Sequence, residues 1–250
     1  MNYNTNNLSI KVENLERRFG NFTAVNKISF SVRRGEIFGL LGANGAGKTT
    51  TLRMLCGLLA PTSGTALIDN TDVARQPEKV RFKIGYMSQR FSLYEDLTVW
   101  ENFRFYGGVY GMSAKDIRKK FEDLSQRLNF GEQADRLTRD LPLGWKQKLA
   151  FMVAAFHNPP VIFLDEPTSG VDPMVRRQFW DLIYESALAG TTIIVTTHYL
   201  DEAMYCDRLA IMAEGSIKAY GTPAGVLDEF KAVNMQEVFL KIAGKEALLQ

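Results

Sequence analysis

Only two cysteines occur in the 250 residues, Cys56 and Cys206, far apart and without C-x-x-C spacing. That pattern excludes a disulfide framework and a cysteine metal site, and it leaves each thiol as a small core residue. An excess of charge of either sign is also missing: 30 Lys and Arg face 28 Asp and Glu, a net charge of +2. The basic residues fall in short clusters only, at Arg17-Arg18, Arg33-Arg34, 118–120, and Lys146 with Lys148. Such clusters belong on solvated surfaces, so no nucleic-acid partner is expected. No apolar run approaches the roughly 18 residues of a membrane-spanning helix. The polar first ten residues lack the apolar centre of a signal peptide. A cytoplasmic protein is therefore expected, with any membrane part supplied by a partner. Internal repeats, low-complexity tracts and linkers are absent as well, so residues 1–250 are expected to form one domain. With 46% hydrophobic residues, the chain can bury a core without staples.

Along the chain, alternating Leu8, Ile10 and Val12, then Ile28, Phe30 and Val32, predict short strands. Residues 37–41 form a compact apolar run suited to a buried strand. A Gly-rich stretch comes next, and Leu52, Leu55, Leu58 and Leu59 then recur at helical spacing until residues 61–64 stop them. Strands are expected at 65–69 and 84–87. From 90 to 150 helical periodicity dominates. Thr98 and Glu101 have the spacing of a capping box, and Ile117, Phe121, Leu124 and Leu128 line one helix face. Strand and helix then alternate again, with strands at 161–164 and 192–197 and a helix over 176–187. This order predicts an α/β fold with a mainly parallel sheet, residues 1–89 and 151–250 forming the core and 90–150 a helical insertion.

Gly42-Ala43-Asn44-Gly45-Ala46-Gly47-Lys48-Thr49 matches G-x-x-x-x-G-K-[ST], between an expected strand and an expected helix that begins near Thr50. A chance match in a chain of this length is on the order of one in a hundred. Glycines let such a loop turn tightly and aim backbone N–H groups at phosphate oxygens, reinforced by the dipole of the next helix. Lys48 is expected to reach the β- and γ-phosphates, and Thr49 to place its hydroxyl on magnesium. The apolar run 161–164 ends in Asp165-Glu166, two acids expected at the edge of the sheet near the loop. Asp165 can hold magnesium, and Glu166 can accept a proton from an attacking water.

The segment after Glu166 narrows the family. Pro167-Thr168-Ser169-Gly170-Val171-Asp172-Pro173 resembles the stretch that succeeds the catalytic Glu of ATP-binding cassette (ABC) ATPases, and the resemblance extends over nearly the whole chain. It implies a P-loop NTPase (RecA-like) core with an N-terminal antiparallel β subdomain and a helical subdomain. It also implies ATP and Mg2+ as ligands and hydrolysis of ATP as the reaction. Gln89 fits the family's Q-loop, which contacts magnesium. His198 fits its switch histidine. Phe19 fits the aromatic that stacks on adenine, although Phe22 lies close enough to compete. Gln89 and His198 each have a bland alternative, a surface residue and a structural histidine. His157 matches no motif position and reads as structural.

One element departs from the family. In place of LSGGQ stands Leu141-Pro142-Leu143-Gly144-Trp145. In the family this segment closes over ATP held by a second ATPase subunit, and Asp172 contacts that subunit too. Pro142 brings neither hydroxyl nor N–H. Either the subunit helps build a degenerate site, or the segment works in a subfamily; it looks like a variant of bacterial multidrug-type exporter ATPases. Leu97-Thr98-Val99-Trp100-Glu101-Asn102 and Ala219-Tyr220-Gly221-Thr222-Pro223 also resemble exporter ATPases with a separate permease chain. The resemblance thus implies a homo- or heterodimer bound to a membrane permease at its cytoplasmic face. Import, or a mechanical or regulatory role without transport, are the alternatives.

Overall fold

The computed structural model describes residues 7–89, 92–128 and 130–247. The amino-terminal strands are longer than the short ones their alternation predicts. β1 (Leu8–Phe19) and β2 (Phe22–Arg33) each run 12 residues and pair antiparallel, with Gly20 at φ 57 in the tight turn between them. β4 (Ser63–Ile68) and the short β5 (Thr71–Asp72) complete a four-stranded antiparallel sheet in the order β2-β1-β4-β5.

The apolar runs build the second sheet. β3 (Ile37–Leu41), β7 (Val161–Asp165) and β8 (Thr192–Thr197) are buried at every residue, as strands covered on both faces must be. They join β6 (Ile84–Met87), β9 (Arg208–Ala213) and β10 (Ser216–Gly221) in the order β10-β9-β3-β8-β7-β6. All pairs are parallel except β10 with β9. Ile10, Val12 and Val25 of the first sheet share one core with Phe38, Leu40 and Ile194 of the second.

α1 (Lys48–Leu55) ends earlier than the leucine spacing predicts. Gly57, at φ 65, closes it: Gly57 N–H donates to Met54 O and Leu58 N–H to Arg53 O, the paired bonds of a glycine-terminated helix. α6 (Pro173–Leu188) starts three residues before its expected position, because the Asp172 carboxyl accepts from Met174 N–H and Val175 N–H, both at 3.0 Å, with Pro173 in the first turn. The sequence pattern does not mark α2 (Pro77–Lys83), β5, β9, β10, α7 (Pro223–Glu229) or α8 (Met235–Ala247) as elements.

In the helical region, α3 (Val99–Val109) carries the expected reciprocal cap between Thr98 and Glu101. α4 (Ala114–Leu128) packs Ile117 and Phe121 against Phe103, Phe130 and Phe156. α5 (Leu143–Ala155) crosses the boundary expected at 150. Its Leu149, Met152 and Val153 face this aromatic cluster, while Ala150, Phe151 and Ala154 pack on the parallel sheet with Met87, Ile162 and Leu164. One helix thus fastens the helical region to the sheet.

Candidate functional site

Strand register sets the site. β3 and β8 run in parallel with Leu41 opposite Thr197, so the loop leaving β3 emerges beside the segment that carries His198. β7 pairs Asp165 with Thr196. β7 lies between β6 and β8, so the two acids sit at the carboxyl end of an interior strand. Carboxyl ends of parallel strands are where open α/β sheets hold ligands.

The loop itself is shaped by glycine. A Cβ on Gly42 would lie 2.4 Å from Met212 O, and one on Gly47 2.6 Å from Ala24 O. Both residues also have positive φ, 155 and 102, so no other side chain fits at Gly47 without strain. Lys48 opens α1, and its side chain is only 4% exposed. Its ammonium folds back to donate to Gly42 O at 2.8 Å and Ala43 O at 3.1 Å, and it stands 3.4 Å from Glu166 Oε1.

Three predicted residues meet at Glu166. Its Oε2 accepts from Gln89 Nε2 at 3.2 Å and lies 3.1 Å from His198 Nδ1, while Oε1 faces Lys48. Glu166 has φ 50, a left-handed conformation that costs about 1–2 kcal/mol for an L residue. Its N–H is anchored to Thr196 O at 3.1 Å and Thr196 Oγ1 at 3.0 Å. The strain is held by this neighbouring strand, as backbone outliers at functional sites generally are.

Asp165 Oδ1 accepts from Thr49 Oγ1 at 3.1 Å and Thr196 Oγ1 at 2.7 Å. Burial raises its pKa, against the lowering effect of the two hydroxyls. A buried carboxyl beside a threonine hydroxyl is an oxygen donor pair of the kind hard divalent cations take, and a cation there would favour the ionised form. These residues fit magnesium. Thr196 is the contributor that sequence reasoning misses. Its only signal is a pair of threonines after the apolar run Ile193-Ile194-Val195.

An open cleft of about 450 Å³ is lined by Asn44, Gly45, Gly47, Lys48, Thr49 and Thr50 of the loop, by Gln89 and Glu166, and by Phe22 and Ala24 of β2. Phe19 is not on this wall. It sits directly across the hairpin from Phe22, 47% exposed, with the Arg17 guanidinium 4.5 Å over its ring. Arg17 covers one face and leaves the rest of the ring open.

The segment 141–145 lies outside the cleft, as does Asp172. Leu141 is buried, Pro142 caps α5 without a side-chain bond, and Leu143 is exposed. Gly144 lets α5 approach α6, since a Cβ there would meet Val175 Cγ1 at 2.7 Å. The Leu143 and Gly144 N–H groups belong to the first turn and have no carbonyl behind them. His157 stands apart from the site. It stacks on Tyr110 at 3.5 Å, its Nε2 lies 3.1 Å from Ile84 O, and burial pulls its pKa down to about 4.

Residues 25–169 match the profile described as ABC transporter. Over 238 residues the chain is 45% identical to a probable multidrug ABC transporter ATP-binding protein, YbhF, of Escherichia coli K12; the match covers 93% of this chain and 41% of that protein. It is 37% identical over 231 residues to a Nod factor export ATP-binding protein I of Ralstonia nicotianae, covering 92% of this chain and 72% of that one. Among solved structures, an ATP-binding subunit of an ABC transporter superposes with a TM-score of 0.84 at 28% identity, covering 94% of this chain and 99% of that one. A dimeric ATP-binding cassette in a post-hydrolysis state with ADP and Pi gives 0.77 at 26% identity, covering 85% and 98%. The chain spans about two fifths of the length of the Escherichia coli relative.

Proposed function

Because the chain belongs to the ABC transporter family, we propose that it binds and hydrolyses ATP to drive a membrane exporter. One observation carries this: Lys48, Thr49, Gln89 and Glu166 line a single cleft at the carboxyl ends of the parallel strands, with Asp165 bonded to Thr49 and His198 beside Glu166. The export sense is supported by the relatives, one named a probable multidrug ABC transporter ATP-binding protein and another a Nod factor export ATP-binding protein.

In this reading the loop 42–50 cradles the phosphates, and Lys48 exchanges its carbonyl contacts for phosphate oxygens. Thr49, Asp165 and Gln89 hold magnesium, which when bound neutralises charge on the phosphates. Glu166 takes the proton of the attacking water, and His198 steadies both Glu166 and the γ-phosphate. Phosphoryl transfer asks mainly for such positioning and charge stabilisation. Phe19 stacks on adenine. Phe19→Ala should weaken ATP binding about tenfold, from the 1–3 kcal/mol of a base–aromatic stack, and Phe22→Ala by less. Titration with a fluorescent ATP analogue decides this, and the reverse order would move the platform to Phe22.

Two subunits close over two ATP molecules, as the dimeric post-hydrolysis cassette supports. Each lends segment 141–145 and Asp172 to the other's site. With Pro142 in place of serine, the free Leu143 and Gly144 N–H groups and the α5 dipole meet the phosphate. That favours a working subfamily variant over a degenerate site. Residues 1–89 and 151–250 act as the ATP-binding core and 90–150 as the helical subdomain.

No described helix is long and apolar enough to cross a membrane. In this reading a membrane permease is the partner and holds the chain at its cytoplasmic face. Its docking surface is the aromatic group Tyr94, Phe105 and Tyr106, just beyond Gln89. Tyr94 and Phe105 are exposed and stack edge-on at 4.7 Å. Where membrane proteins are encoded beside its gene, the chain coexpressed with them should copurify with them in detergent. Phe105→Glu should abolish copurification and leave ATP binding unchanged. Full recovery of the complex with that variant would reject the surface.

A further inference from the structure

Glu202 is wholly buried, and nothing in the chemistry above uses it. It stands four residues beyond His198, in the 3-10 turn Leu200–Tyr205. Its Oε1 accepts from Thr168 Oγ1 at 2.6 Å and from Trp180 Nε1 of α6 at 3.3 Å, and Arg176 Nε lies 3.7 Å away. Its Oε2 has no hydrogen-bond partner among the described residues. A half-satisfied buried carboxyl is unfavourable, and an apolar side chain of similar size would fill this space at less cost. Packing alone therefore does not account for a carboxyl at this point.

The groups that Glu202 connects do account for it. Thr168 is two residues beyond Glu166, and Glu202 belongs to the segment that carries His198. One carboxyl thus ties together the two backbones whose side chains face each other at 3.1 Å, His198 Nδ1 and Glu166 Oε2. A second tie runs alongside. The Arg176 guanidinium lies 3.9 Å over the Tyr199 ring, and Tyr199 packs against His198 with ring centroids 4.3 Å apart. Glu166 needs such support, since a residue held at φ 50 relaxes unless its surroundings over-determine it. Thr196 anchors its N–H side, and the Thr168–Glu202 bond anchors the chain leaving it. Neither Thr168 nor Glu202 lines the cleft.

We propose that Glu202 is a positioning residue for hydrolysis, acting through the Thr168 hydroxyl to fix the separation of Glu166 and His198. This rests on the assignment of Glu166 as the base. The test uses Thr168→Val, which keeps the shape and removes the hydroxyl, and Thr168→Ser, which keeps the hydroxyl, because Glu202 variants can fail to fold. In the full chain, Thr168→Val should lower kcat roughly ten- to a hundredfold with the Kd for ATP within about twofold of wild type, and Thr168→Ser should restore most of the rate. A wild-type kcat in Thr168→Val would overturn the proposal. So would an equal loss in Thr168→Ser, or ATP affinity falling in step with kcat. Glu166→Gln serves as the control: if it turns over normally, the base assignment fails and the positioning role with it. If it is inactive while Thr168→Val is fully active, the positioning role alone fails.

Discussion

Lys48→Ala should abolish ATP binding or hydrolysis. Among the described residues, the ammonium is the only side-chain cation on the cleft wall, and it is already desolvated, held between loop carbonyls and Glu166. Binding a triphosphate exchanges those contacts for charge-assisted bonds to phosphate oxygens. Each bond of that kind contributes about 1.5–3 kcal/mol, so losing two costs roughly two to four orders of magnitude in affinity or rate. Alanine also leaves the Gly42 and Ala43 carbonyls and the Glu166 carboxyl without their cation, which adds to the loss by repelling phosphate. Isothermal titration with ATP and a phosphate-release assay read both quantities, and a thermal melt confirms that the variant is folded. Wild-type turnover in a folded Lys48→Ala chain would remove the loop from the site.

The loop was readable because its chemistry is local: eight consecutive residues carry the glycines, the lysine and the threonine. The acids were readable for a related reason, since an apolar strand that ends in Asp165-Glu166 announces both burial and position. Pairing across strands is not local, and there the sequence is less informative. That Thr196 would receive both Asp165 and Glu166 depends on the β7–β8 register, and that Phe22 would reach the cleft wall depends on the β1–β2 hairpin. The reach of α5 past 150 hid for a different reason. Residues 149–154 are all buried because the helix is covered on both sides, so no amphipathic period shows there. The carboxyl-terminal hairpin β9–β10 turns at Glu214 and Gly215, both with positive φ, where only Gly215 is a turn signal.

Glu166→Gln should separate binding from chemistry. Glutamine keeps the size and an oxygen for Lys48, and it retains polar contact with Gln89 and His198. It removes a negative charge from beside the γ-phosphate, so ATP should bind as tightly as in wild type or more tightly. It also removes the proton acceptor, and a positioned general base contributes typically 10²–10⁴-fold, so hydrolysis should fall by about that factor. With closure favoured by ATP and no hydrolysis to reverse it, ATP-bound dimers should accumulate, and they should elute early in size-exclusion chromatography with nucleotide present. The three readings locate the function of Glu166. Full turnover would show that the carboxyl serves only as the counterion of Lys48. Weak ATP binding would place its role in holding the loop. Tight binding with arrested turnover and stable dimers leaves the proton acceptor as the one role that fits a carboxyl facing Lys48, Gln89 and His198 together.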